Sequence, residues 1–108
     1  SPLRNTRAGT VYYERLKELE QTVQDLNLYK KINDMDNYKE LYDSKKDLIK
    51  YKAFIRKKGR MVNDFNDRIK GVTSNKKMGG EEKAVRLDRL YQLKNALLDK
   101  IVKSPAFR

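Results

Sequence analysis

The sequence predicts an all-α protein of extended helices. A long N-terminal helix over about residues 10–32 precedes an antiparallel helical hairpin of about 45–70 and 81–103. Charged residues and hydrophobic residues each make up 38% of the 108 residues, with only five glycines and two prolines. This balance is typical of amphipathic helices and leaves little for turns. Apolar residues recur at spacings of three and four, and no stretch alternates long enough to predict a strand.

The first helix follows a short extended arm. Residues 1–9 contain Pro2, Asn5 and Gly9 and are predicted to be extended, while Thr10 is the expected N-cap. The apolar positions of this helix form a stripe of coiled-coil type: Val11, Tyr12, Leu16, Leu19, Val23 and Leu26. We expect residues 10–103 to form one helical domain, or a segment of a larger protein, and 104–108 to form a tail.

A polar break separates the first helix from the second. The stretch "NDMDN" at 33–37 favours a turn because Asn and Asp side chains compete for their own backbone. Asp36 or Asn37 is the predicted cap of a short second helix that carries Tyr38 and Leu41. The stretch "SKKD" resembles a capping box, so the chain is expected to re-cap at Ser44.

The hairpin accounts for the rest of the chain. A long helix is predicted from Asp47 to about Lys70, with Gly71 as its C-cap and a loop over 73–80. The closing helix starts near Glu81 and ends before the Ser-Pro pair at 104–105. The positions predicted to pack between helices are Tyr12, Leu16, Leu19, Val23, Leu48, Tyr51, Ile55, Val62, Phe65, Ile69, Leu87, Leu90, Tyr91, Leu97, Leu98 and Ile101.

The net charge of +11 is concentrated in the middle third of the chain. Residues 1–44 carry a net charge of −1, residues 45–77 carry +9 and residues 78–108 carry +3. At 100° per residue, seven cations share one side of the long helix, opposite its apolar face. They are Lys45, Lys46, Lys50, Lys52, Arg56, Lys57 and Arg60. Lys58 falls within the apolar arc, and Gly59 lies at the boundary between the two faces, where close approach of another backbone is expected.

This basic face predicts contact with a polyanion or an acidic protein. The alternative is that its partner is an acidic helix of the same assembly, such as the first helix of this chain. No zinc-finger, homeodomain or basic-zipper pattern is present, so sequence-specific base reading is not predicted.

The residue types argue against enzymatic chemistry. The chain contains no cysteine and no histidine, which are common metal ligands and catalytic groups. Its carboxylates form no pair in apolar surroundings that would raise a pKa. We therefore predict no catalytic residue, no metal site and no cofactor. Most of the seven tyrosines are expected to pack between helices, with nucleic-acid stacking as the alternative.

No transmembrane segment is predicted, because no apolar run approaches the length of about 20 residues that crosses a bilayer. The N-terminus lacks the apolar centre of a signal peptide. The chain also lacks an initiator methionine, so we expect a processed chain or a piece of a longer protein.

The order of the elements resembles the C-terminal helical segment of large internal virion, or ejection, proteins of tailed phages and the related large polyvalent proteins. In that pattern a helix with a Tyr-Tyr pair precedes a short helix, a long helix and a closing helix that begins with an E-E-K…D-x-L motif. Tyr12 and Tyr13 match the first element, and Glu81, Glu82, Lys83, Asp88 and Leu90 match the last. The break at 33–37 departs from the pattern because it lacks the glycine often seen there.

The resemblance implies a structural role. Ejection proteins are packed inside the capsid near the portal, leave ahead of the genome and help to form its conduit across the host envelope. This chain would then be an assembly module in the virion interior, with portal or core proteins and further copies as partners and packaged DNA as a possible contact. The alternative is a free-standing, cytoplasmic, basic helical protein that binds nucleic acid.

Overall fold

The structure is a computed structural model that describes residues 6–107. It confirms the all-α fold class, since no strand occurs within these residues. The elements in chain order are α1 (Arg7–Lys31), α2 (Met35–Ser44), α3 (Lys46–Lys50), α4 (Lys52–Thr73), α5 (Gly80–Val102) and a 3₁₀ turn (Pro105–Phe107). Residues 1–5, which make up most of the predicted arm, lie outside the described residues.

Helix α1 begins earlier than predicted. Its N-cap is Thr6, whose hydroxyl accepts a hydrogen bond from the backbone N–H of Gly9 at 3.1 Å. This cap makes residues 7–9 part of the helix. Ala8 and Gly9 are buried there against the rest of the body. The expected cap, Thr10, lies inside the first turn and donates its hydroxyl hydrogen to the Thr6 carbonyl oxygen.

The turn between α1 and α2 is tighter than predicted. Asn33 adopts a left-handed conformation, with φ of 60°, which asparagine tolerates better than most residues. The cap of α2 is Asp34, upstream of the predicted Asp36 or Asn37, and its carboxylate accepts from the Asn37 backbone N–H at 3.3 Å.

Two interruptions separate α2 from α4. The first lies one residue from the predicted re-cap at Ser44, and the second falls within the long helix predicted from Asp47. Lys45 separates α2 from α3, but the hydroxyl of Ser44 donates to the Leu41 carbonyl oxygen and does not cap α3. Tyr51 separates α3 from α4 with φ of −96° and ψ of 11°. The sequence carries no glycine, proline or cap there, so this second interruption was not predicted.

The hairpin also differs from prediction at its ends. Gly71 lies within α4, which continues to Thr73 and is closed by Ser74. The hydroxyls of Thr73 and Ser74 donate hydrogen bonds to the carbonyl oxygens of Ile69 and Lys70. Within the predicted tail 104–108, Pro105–Phe107 form a 3₁₀ turn in which Ala106 is buried and Phe107 packs on the core, and residue 108 lies outside the described residues.

The core consists of two adjoining clusters along α1. The first joins Tyr12 of α1 to Val62 of α4 and to Leu98 and Ile101 of α5. The second joins Leu19 to Leu48, Ile55 and Ala106. Leu19 lies seven residues after Tyr12 on α1, whereas Ile55 lies seven residues before Val62 on α4. These two helices are therefore antiparallel.

The predicted packing positions fall into two groups by exposure. Eight are buried: Tyr12, Leu19, Leu48, Ile55, Val62, Ile69, Leu98 and Ile101. The other eight are half-buried: Leu16, Val23, Tyr51, Phe65, Leu87, Leu90, Tyr91 and Leu97.

Candidate functional site

Two of the seven predicted contact cations are held by α1. Lys45 Nζ donates to Glu18 Oε1 at 2.9 Å. The Arg56 guanidinium binds Glu20 in a bidentate manner, with Nε 3.1 Å from Oε1 and Nη2 3.3 Å from Oε2. For these two residues the structure supports the alternative reading, in which the basic helix meets acids of the first helix.

The pair of Glu18 and Lys45 perturbs the carboxylate. The hydrogen bond from Lys45 lowers the pKa of Glu18 below its ordinary value, and partial burial opposes this shift. The charges of Lys45 and Arg15 lower the pKa further. Both partners remain more than a third exposed, so the pair orients α3 against α1 more than it stabilises the fold.

The other five cations form what we call the basic surface: Lys46, Lys50, Lys52, Lys57 and Arg60. None of them makes a salt bridge to a residue within 6–107. Four are exposed, and Lys52 is half-buried. Lys50 contacts an aromatic face, since its ammonium lies 5.5 Å from the ring centroid of Tyr51.

The basic surface has a defined extent on α4. Lys52 and Arg60 lie on one ridge of the helix, about 12 Å apart along its axis, and Arg56, which is bound to Glu20, lies between them. Past Arg60, the same side of the helix carries Asp64 and Asp67, and the excess of positive charge ends there. The cations therefore occupy α3 and the first half of α4.

Lys58 and Gly59 have different roles from these cations. Lys58 lies against apolar neighbours, as predicted from its position, with its ammonium 5.5 Å from the Phe54 ring centroid. Gly59 is buried, and the group that approaches it is the Tyr12 side chain: a Cβ at residue 59 would lie 2.9 Å from the Tyr12 hydroxyl oxygen. The sequence predicted that another backbone would approach Gly59 closely, but the group that does so is a side chain.

The sequence interpretation missed the contribution of the C-terminal turn. The Arg15 Nε donates to the Ala106 carbonyl oxygen at 3.2 Å, and the rings of Tyr12 and Phe107 lie 6.1 Å apart. An apolar pair directly after Pro105 was the available signal, because proline can start a new turn after a helix ends.

Within residues 6–107, no group of three or more His, Cys, Asp or Glu side chains is placed to hold a metal ion. None of the described helices combines the length and apolar character required to cross a membrane.

The comparisons with known proteins give no family assignment. No protein-family model, no curated protein and no solved structure matches this chain.

Proposed function

We propose that this chain is a non-catalytic helical docking module that binds a polyanion through its basic surface. The observation that carries the proposal is the difference between two sets of cations along α3 and α4. Lys45 and Arg56 are neutralised by α1, whereas the basic surface has no carboxylate partner in the described body. Unpaired cations grouped on one side attract a polyanion by long-range electrostatics.

Nucleic acid is the polyanion that this surface fits best. A phosphate backbone presents one charge per about 3.4 Å of each strand, so the five cations of the basic surface, spread along α3 and the start of α4, can meet several phosphates. The arrangement supports contact with the backbone and not with base edges, because long, exposed side chains without a recognition motif position a protein but read no sequence.

The setting that we propose is the interior of a phage virion. This part of the proposal is supported by the order of the elements and by the residues that resemble internal virion proteins. In this setting the apolar stripes bind portal or core proteins and further copies, and the basic surface faces packaged DNA. Delivery with the genome to the host envelope would follow.

The test of the basic surface is a binding titration of the purified, nucleic-acid-free chain with a labelled DNA duplex. We expect affinity to fall steeply with salt, by about 0.9 log units per log unit of salt for each phosphate contact. The variant Lys46→Gln/Lys57→Gln/Arg60→Gln should bind more weakly and lower this slope by up to about 3. These three residues avoid Arg56, whose replacement would also break the ion pair with Glu20.

The matched control is Lys31→Gln/Lys100→Gln/Lys103→Gln, which removes three exposed cations outside the basic surface. This variant has the same net charge as the first and should bind with an affinity and a salt slope close to those of the wild type. Equal losses in the two variants would show that only net charge matters, and absence of binding at low salt would refute the proposal.

A free-standing nucleic-acid-binding protein is the second candidate, and the same basic surface favours it. The two candidates differ in the partners that accompany the protein. A virion module should co-purify with portal or core proteins from particles, whereas a free-standing protein should co-purify with nucleic acid from host cells.

A further inference from the structure

The corner between α1 and α2 exposes a cluster of large apolar side chains. Ile32 is 60% exposed and Met35 is 51% exposed, Leu28 is exposed one turn before Ile32, and Tyr42 is exposed two turns further along α2. Helix α2 has no buried residue, although it carries an apolar stripe in which the rings of Tyr38 and Tyr42 stack at 6.2 Å. Apolar surface of this kind is typical of an interface.

The α2 side of this corner is acidic, whereas the last turn of α1 beside it carries Lys30 and Lys31. Helix α2 contains Asp36, Glu40 and Asp43 against a single cation, Lys39, for a net charge of −2 in a chain of +11. On a helical projection the three acids lie on the side of α2 away from Leu41, which lines an open groove together with residues of α1.

Apolar side chains combined with positive charge occur near the tip of the α4–α5 hairpin. An open groove of about 600 Å³ lies there, with Val72, Val85 and other apolar side chains in its lining. Three arginines surround them: Arg68, Arg86 and Arg89. Arg86 is paired with Glu82 on the surface, and Val85 is 66% exposed.

The corner and the groove lie at opposite ends of the molecule. Helices α1 and α4 are antiparallel, so the C-terminal end of α1 points away from the C-terminal end of α4. From the level of Tyr12 and Val62, α1 continues for 19 residues in one direction and α4 for 11 in the other, together about 45 Å. The body is 59 Å long, and the corner of one copy cannot reach its own groove.

We propose that the occupant of the groove is the α1–α2 corner of a second copy of this chain. The corner supplies apolar side chains and acids, and the groove supplies an apolar lining and arginines. A twofold contact between two grooves would oppose arginine to arginine, and one between two corners would oppose acid to acid, so charge complementarity favours the head-to-tail contact. Because such a contact uses different surfaces on each copy, it leads to a ring or a filament.

The test is sedimentation of the nucleic-acid-free chain over a range of concentrations. The wild type should associate in a concentration-dependent manner, and more weakly at 0.5 M salt than at 0.05 M salt, given Debye lengths of roughly 4 Å and 14 Å. Arg68→Glu/Arg89→Glu should weaken association at least about tenfold, because it places acids opposite acids. Asp36→Lys/Glu40→Lys should do the same from the other side.

A mixture of these two variants should associate again. In the mixture, the unchanged corner of the first variant meets the unchanged groove of the second, and the two reversed surfaces complement each other. The control Lys70→Glu/Lys100→Glu, which makes the same charge change as the groove variant outside the groove, should associate like the wild type. Circular dichroism should show that every variant retains its helical content.

A wild type that stays monomeric over the whole range would overturn the proposal. It would also be overturned if the corner variant associated as well as the wild type, which would indicate a groove-to-groove dimer, or if the mixture stayed monomeric. The Lys46→Gln/Lys57→Gln/Arg60→Gln variant should still associate, so failure of the DNA contact and failure of self-association can be distinguished.

Discussion

At the scale of single residues, the pair of Tyr12 and Gly59 is the most constrained contact in the core. Tyr12 is 1% exposed, and its hydroxyl has no hydrogen-bond partner among the described residues. A buried hydroxyl without a partner loses its bonds to water and gains none in return. Gly59 lies directly beside it, where any larger residue would place a Cβ in close contact with the hydroxyl oxygen.

The two residues should be strongly coupled. We expect Tyr12→Phe to raise the free energy of unfolding by about 1 kcal/mol, since it removes the unpaired hydroxyl. In the wild type, Gly59→Ala should destabilise the protein, although alanine favours a helix over glycine by about 1 kcal/mol. In the Tyr12→Phe background the same change should stabilise it, because the atom that clashes is gone. Urea unfolding of the wild type, the two single variants and the double variant measures this coupling. An equal effect of Gly59→Ala in both backgrounds would contradict it.

The same tyrosine should make the fold sensitive to alkali. Burial, with a smaller contribution from Tyr13, raises the pKa of Tyr12 from 10.0 to about 12. Because the folded state holds this proton more tightly than the unfolded state, the stabilisation is complete below about pH 10 and is lost as the pH rises to about 12. The midpoint temperature of thermal unfolding should therefore fall more steeply between pH 8 and pH 12 for the wild type than for Tyr12→Phe. Lysine titration affects both proteins, so parallel curves would exclude the effect.

At the scale of elements, the accuracy of the sequence predictions followed the strength of the local signals. The four main helices were predicted because their apolar residues repeat with a helical period over several turns. Their ends were less accurate, since Thr6 and Thr10, or Asp34 and Asp36, are equally good caps. Tertiary contacts decided between them, and burial of Ala8 and Gly9 requires the earlier start of α1.

The C-terminal turn shows what a local pattern cannot reveal. A three-residue turn that begins with a proline has no periodicity, yet Ala106 belongs to the second core cluster and Phe107 packs against both clusters. Their position depends on residues about 90 positions away, such as Arg15, whose guanidinium binds the Ala106 carbonyl oxygen.

Removal of the Phe107 ring should therefore destabilise the whole core. We expect Phe107→Ala to lower the free energy of unfolding by about 2–4 kcal/mol, somewhat less than for a fully buried phenylalanine. Phe107→Leu should retain most of the stability because it keeps apolar volume at the site. Pro105→Ala, an exposed change in the same turn, is the control and should alter stability by less than about 1 kcal/mol. A Phe107→Ala variant as stable as the wild type would show that the turn is not part of the core.

The sequence predicted which cations belong to the candidate site, but not which of them pair with acids of α1. The sequence places seven cations on one side of a helix, and the structure shows that Glu18 and Glu20 bind two of them. The sequence could not predict which two cations these are, because the pairing depends on the register between α1 and α4. That register is set by the packing of Leu19 against Leu48 and Ile55.

At the scale of the whole molecule, the shape is far from compact. The radius of gyration is 17.9 Å, against about 13 Å for a compact domain of similar length. The expected extended helices account for this value. Helix α1 contacts α4 as far as Asn66, but it does not line the groove at the tip of the hairpin, where α4 and α5 pack on each other. Helix α5 has no buried residue before Leu98.

This uneven thickness should divide the protein into two units of different local stability. Amide hydrogens of residues 84–93 in α5 should exchange with deuterium faster than those of residues 15–23 in α1, because the outer hairpin can open without disturbing either core cluster. Mass spectrometry of the exchanged chain measures this gradient, and uniform protection would show a single cooperative unit. The groove lies within the less protected unit, so exchange there should slow as protein concentration rises and a second copy holds the two helices together.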